Sequence, residues 1–264
     1  MAKADLGPLS LHYVRAGSGP DVVLVHGLAS DLAFWYLGVM RLLSRSFRVT
    51  AFDLRGHGYS GTPASGYTSA DLAGDLAALM DHLGIVHAHL VGHSFGGSVA
   101  LHLAVERPQR VVSLTLADAR VNDLQPRLPR HDDERWRGVR AALEELGFVL
   151  PPTIPAVAFA VLEELLESMG ENGTGTLGQA GPMGFFGIRD GGSRKLDRWL
   201  RLMETTSARQ DFNAVAGLTR ERLRELSHPT LAVYGERSCC MESGRELQRH
   251  LQHCSTVVLP GAGH

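Results

Sequence analysis

The stretch Leu90-Val91-Gly92-His93-Ser94-Phe95-Gly96-Gly97 has the make-up of a turn that exposes one side chain. An apolar run stops at Gly92, Ser94 stands between small residues, and two glycines lead into a helical segment. Such flanks permit a strand-to-helix turn too sharp for bulky neighbours, from which the hydroxyl projects alone. Backbone N–H groups at the start of the new helix then face any negative charge that forms beside the serine oxygen. A serine hydroxyl is a poor nucleophile near neutral pH, so it needs a base and a group that orients the base. His264 is the candidate base. It lies in the glycine-rich turn Pro260-Gly261-Ala262-Gly263-His264, which can swing an imidazole over the sheet edge where Ser94 stands. The N–H groups of Leu28 and Phe95 are the candidate oxyanion donors, typically the largest single catalytic contribution. His26 and His57 read as hydrogen-bonded structural residues, and His93 as packing beside the nucleophile. None has metal-ligand spacing, and no metal is expected.

These residues need a rigid scaffold, and the hydrophobic pattern supplies one. Leu9 to Arg15 alternates as a half-exposed strand. Continuous apolar runs at Asp21–Gly27, Phe47–Asp53, Val111–Ala117, Thr230–Gly235 and Ser255–Pro260 suit strands covered on both faces. Between them lie helices with Leu72, Leu76, Leu79, Met80 and Leu83 on one stripe, capped by Ser69, then Ser98 to Glu106, then Glu242–Leu251. Alternating strands and helices give an α/β fold, a mostly parallel doubly wound sheet. The rhythm breaks between about Val121 and Thr219. Helical patches there surround a glycine-rich loop, so 121–219 is assigned as an inserted helical cap, with 1–120 and 220–264 as the core.

Composition excludes several classes. The 264 residues carry 26 Lys and Arg against 28 Asp and Glu, a net charge of -2. The basic residues are scattered, so no nucleic-acid partner is expected. The first residues lack the apolar core of a signal peptide, and no run has transmembrane length, so no membrane partner is expected. The three cysteines, Cys239, Cys240 and Cys254, form an odd set without zinc spacing, and reduced thiols in a cytoplasmic protein follow.

Four motifs in order, Val25-His26-Gly27-Leu28, Phe52-Asp53-Leu54-Arg55-Gly56-His57-Gly58-Tyr59-Ser60, Val91-Gly92-His93-Ser94-Phe95-Gly96-Gly97 and Pro260-Gly261-Ala262-Gly263-His264, resemble those of the cap-bearing α/β-hydrolase superfamily. The resemblance covers nearly all the chain outside the cap. It implies a covalent acyl–serine mechanism, no cofactor, and a pocket between sheet and cap, for which Trp136, Phe185 and Phe186 are candidate lining residues. Many relatives carry the acid a few residues after the glycine that ends the penultimate strand, but Ser238 holds that position here. Other relatives place it after the preceding strand, which corresponds to Asp118. Asp118 is therefore the assigned acid, ahead of Glu236 and Asp123. Relatives also continue into a helix behind the histidine loop, so a turn ending at His264 needs support from neighbouring elements or from further chain.

A serine nucleophile disfavours the dehalogenase and epoxide-hydrolase chemistries of this superfamily, which use a carboxylate. The expected activity is hydrolysis of an apolar or aromatic acyl ester or thioester. The alternative is an acyltransferase that moves an acyl group from a carrier protein or coenzyme A to another acceptor. A ligand-binding protein with a vestigial triad is a third reading. The expected partners are a small-molecule acyl substrate and, for the transferase, an acyl carrier protein.

Overall fold

The computed structural model describes residues 2–36, 38–126, 137–138, 141, 144–145 and 194–264. Eight strands form one sheet: β1 (Ala2–Asp5), β2 (Ser10–Ala16), β3 (Asp21–Val25), β4 (Arg48–Phe52), β5 (Ala88–His93), β6 (Val111–Ala117), β7 (Thr230–Gly235) and β8 (Cys254–Leu259). Their spatial order is β1-β2-β4-β3-β5-β6-β7-β8. β1 and β2 are antiparallel additions at one edge, and β3 to β8 run parallel.

Among the described residues the α-helices include α1 (Ala33–Tyr36), α2 (Val39–Leu43), α3 (Ser69–His82), α4 (Phe95–Glu106), α5 (Arg194–Thr205), α6 (Ala208–Asp211), α7 (Arg220–Arg224) and α8 (Met241–His250). α3 starts one residue earlier than a cap at Ser69 would place it. Thr68, not Ser69, is the cap: its hydroxyl accepts from Asp71 N–H while the Asp71 carboxylate accepts from Thr68 N–H. Ser69 is buried instead, its hydroxyl 3.1 Å from His102 Nδ1. α4 begins at Phe95, immediately after the nucleophile candidate rather than at Ser98. One face of the sheet buries Val22, Leu24, Val49 and Ala51 under Leu32, Trp35 and Met40 of the α1–α2 segment.

The chain divides into two compact units, Met1–Pro126 with Leu202–His264, and Arg127–Arg201. Residues 121–126 and 202–219 thus belong with the sheet, not with the insertion to which the loss of strand rhythm assigned them. Their tie is polar: Asn122 donates to the carbonyls of Phe212 and Ala214, each at 3.0 Å. Trp136, Phe185 and Phe186 lie outside the described residues. Among the described residues no helix is long and apolar enough to cross a membrane.

Strand order fixes where a site can form. β4 lies on one side of β3 and β5 on the other, so the connections leaving β3 and β5 part company at their carboxyl ends. Crevices of open parallel sheets occur at such a switch point. Register brings the key residues level there, with Val25 opposite Gly92, His93 opposite Ala117, Ala117 opposite Val233 and Gly235 opposite Leu259.

Candidate active site

Three non-glycine residues around this edge have left-handed φ: Ala29 after β3 (+56°), Ser94 after β5 (+52°) and Asp118 after β6 (+46°). Such backbone is costly for residues with a Cβ and clusters where geometry serves function. Ser94 pairs its φ with ψ -121°, the strained junction expected of an exposed nucleophile. Two backbone bonds lock it, Ser94 N–H to Ala117 C=O at 2.9 Å and Gly97 N–H to Ser94 C=O at 3.0 Å. The loop after β3 lies directly against it, since a Cβ on Gly27 would come 2.9 Å from Ser94 Cβ. Leu28 follows in that loop, and Phe95 is the first residue of α4, whose N–H has no partner within the helix. Gly27 thus brings the chain segment that carries Leu28 up to Ser94, and Phe95 follows Ser94 directly.

The loop is held by two histidines in fixed tautomers. His26 Nδ1–H donates to Gly27 C=O at 2.7 Å, leaving Nε2 to accept from Leu54 N–H at 3.0 Å. His57 Nδ1–H donates to Arg55 C=O at 2.9 Å, and its Nε2 accepts from Ala29 N–H at 3.3 Å. Burial, with His26 beside it, pulls the His57 pKa down to about 3. These are the structural roles read from sequence. His93 stacks on Phe34 with centroids 4.6 Å apart, and burial, then His264 and His26, holds its pKa well below the ordinary value.

The acid and base meet differently from the sequence expectation. The loop carrying His264 lies on the end of β7, where a Cβ on Gly235 would come 2.0 Å from Gly263 O. Glu236 accepts from Gly261 N–H at 2.7 Å and Arg237 donates to Gly261 C=O at 2.6 Å, so neighbouring elements do support the turn. The His264 ring lies 4.9 Å from that of His93, the residue before Ser94. Its Nδ1 is 3.3 Å from Ser238 Oγ, and Ser238 is in turn hydrogen-bonded to Asp118. No direct ion pair joins Asp118 to His264. The expected acid–histidine contact is therefore corrected to a three-member chain, because Ser238 occupies the position between them.

The donor and acceptor count of Ser238 fixes the polarity of this chain. A hydroxyl has one donor and two acceptor sites. Cys240 N–H donates to Ser238 Oγ at 3.1 Å, and an ionised Asp118 can only accept, so it takes the hydroxyl proton. The remaining lone pair faces His264 Nδ1, which must carry its proton, leaving Nε2 as the unprotonated nitrogen. Asp118 also accepts from Gly235 N–H at 3.0 Å. Burial raises the Asp118 pKa, with the bonds from Ser238 and Gly235 opposing. Burial lowers that of His264 to about 4.

Of the other acids weighed, Glu236 is the loop anchor just described, and Asp123 pairs with Arg220 at 3.2 Å. Sequence reasoning missed Ser238 as a participant and read it only as the loss of an acid. The available signal was the pairing of a hydroxyl at one acid position with a carboxylate at the other.

Comparison with known proteins agrees with this architecture. A family profile described as alpha/beta hydrolase fold matches residues 20–264. Over 114 residues the chain is 45% identical to the dihydrolipoyllysine-residue acetyltransferase component of the acetoin cleaving system of Cupriavidus necator, covering 43% of this chain but only 30% of that protein. It is 28% identical over 271 residues to 2-(acetamidomethylene)succinate hydrolase of Mesorhizobium japonicum, covering 99% of this chain and 87% of the relative. Among solved structures, the enol-lactonase of Burkholderia xenovorans superposes with a TM-score of 0.69 at 25% identity, over 98% of this chain and 91% of that one. The strand order, the serine at the switch point and the match over residues 20–264 lead to one assignment: the chain belongs to the alpha/beta hydrolase fold family.

Proposed function

We propose that the protein is a serine hydrolase that cleaves an apolar or aromatic acyl ester or thioester. The observation that carries this reading is Ser94, held in left-handed backbone at the switch point. His264 Nε2 removes the Ser94 proton as Oγ attacks the carbonyl carbon. The N–H groups of Leu28 and Phe95 receive the oxyanion, and the protonated His264 passes its proton to the departing alcohol or thiol. Water then attacks the acyl-serine, with His264 again as base, releasing the carboxylic acid and restoring Ser94. Asp118 orients His264 through Ser238 and stabilises the imidazolium across one hydroxyl. Trp136, Phe185 and Phe186 are proposed, from sequence alone, to contact the acyl group.

The similarity to an acetyltransferase component favours a second reading in which an alcohol, amine or thiol replaces water as acceptor. An acyl carrier protein or coenzyme A would then be the donor. Chromatography of products from short aliphatic and aromatic acyl thioesters, with and without such acceptors, tests both. Free acid that forms at the same rate in either condition supports hydrolysis. Acyl-acceptor product with little free acid supports transfer. No consumption of any ester or thioester contradicts both.

A further inference from the structure

Beside His264 lie two thiols that the proposed hydrolysis does not use. Cys239 is half-buried and Cys240 is buried, both are free, and their sulfurs are 3.8 Å apart. One ligand atom from each of Cys239, Cys240 and His264 falls within 4.8 Å of the others. A tetrahedral zinc with Zn–S bonds of about 2.3 Å puts two sulfurs about 3.8 Å apart and a sulfur and an imidazole nitrogen about 3.6 Å apart. The sulfur pair already has this spacing, and the imidazole needs to close by about an ångström. The thiolate is the form of cysteine that binds metal.

We propose that Cys239, Cys240 and His264 form a binding site for a soft or borderline-soft divalent cation such as zinc or cadmium, and that occupancy inhibits the enzyme. Two thiols and an imidazole suit such ions and not magnesium or calcium. Binding releases the two thiol protons and forms two metal–sulfur bonds and one metal–nitrogen bond, with no oxidation. A metal on Nε2 occupies the base nitrogen, and one on Nδ1 takes the imidazole from Ser238. Either withdraws His264 from proton transfer. The inhibition rests on His264 being the base, as proposed above, whereas the binding does not. Sequence spacing hid this site because the third ligand lies 24 positions beyond Cys240.

Titration of the reduced protein with cobalt(II), followed by its sulfur-to-metal charge-transfer band, tests the binding, and displacement by zinc or cadmium reports their affinity. One equivalent should saturate the band in the wild type, in Cys254→Ser and in Ser94→Ala. The band should vanish in Cys239→Ser with Cys240→Ala, and His264→Ala should weaken binding about tenfold or more, as loss of even an outer-shell partner can. Zinc at about ten times its Kd should lower wild-type turnover about tenfold, reversibly with a chelator, and leave Cys239→Ser resistant. Since Cys240 is buried, zinc protection of native Cys239 from alkylation, read by peptide mass, provides the same test without mutation and separates ligand loss from misfolding. No stoichiometric binding, a band that survives in the cysteine variants, or tight binding without inhibition would overturn the proposal. If Ser94→Ala binds cobalt but the wild type hydrolyses nothing, the functional reading fails and the metal site stands.

Discussion

Moving the carboxylate from position 118 to position 238 tests the Asp118–Ser238–His264 chain. Burial sets the His264 pKa to about 4, and no carboxylate touches the ring to counter it. Ser238→Asp would place an acid within one hydrogen bond of Nδ1, and Asp118→Asn in the same protein avoids two carboxylates at one site. Returning from about 4 to the ordinary 6.5 corresponds to about 3 kcal/mol of imidazolium stabilisation, at about 1.36 kcal/mol for each pH unit. An adjacent opposite charge supplies about 1–3 pH units. The base works only when neutral, so activity falls as pH drops through its pKa. The acid limb of kcat/KM should therefore lie near pH 4 in the wild type and between about 5 and 7 in the double variant. The assay is chromatographic detection of acid released from phenyl acetate between pH 4 and 8. A companion variant, Ser238→Ala, leaves the Nδ1 proton without its acceptor and should lower kcat by roughly ten- to a hundredfold, from about 1–3 kcal/mol. A wild-type limb already near 6.5, or no movement in the double variant, would refute the reasoning.

Two further outcomes follow from the same geometry. A Cβ at Gly96 would meet Val25 O at 2.3 Å and His26 O at 2.5 Å, both rigid backbone. Gly96→Ala should then cost at least about 1–3 kcal/mol in chemical denaturation, whereas Gly74→Ala, with nothing within 4 Å, should not destabilise. An unchanged Gly96→Ala midpoint would contradict the packing. His57 is held neutral to about pH 3 when folded and takes up a proton near 6.5 when unfolded, so the unfolded state binds more protons between those values. Its contribution is intact above 6.5 and is lost as pH falls, by about 2 kcal/mol at pH 5. Denaturant titrations at pH 7 and 5 should show that loss, and His57→Gln should lessen it.

Much of this arrangement was legible because burial writes itself into composition. β3, buried along nearly its whole length, reads as an unbroken apolar run at 21–25, whereas the apolar runs at 111–117 and 230–235 form strands that leave Val112 and Leu231 exposed, and glycine at 92 and 96 marks a turn that only small residues can make. β1 was not legible, since Ala2–Asp5 has no periodicity of its own and gains strand geometry from pairing with β2. α1 and α2, at four and five residues, are too short to show a helical period. The insertion boundary misled because residues 202–219 have no strand rhythm, yet Phe212 is fully buried against Tyr67 and Phe95. The Ser238 bridge depends on where positions 118, 238 and 264 meet in space, and no local pattern encodes that.

The central claim is that Ser94 attacks an acyl carbonyl with His264 as its base. Intact mass measured within seconds of mixing with short aliphatic and aromatic acyl thioesters tests it most directly. The wild type should gain one acyl group that decays in water, His264→Ala should acylate far more slowly, and Ser94→Ala should gain none. An adduct of equal size and rate in Ser94→Ala, or none in the wild type alongside no turnover, would contradict it.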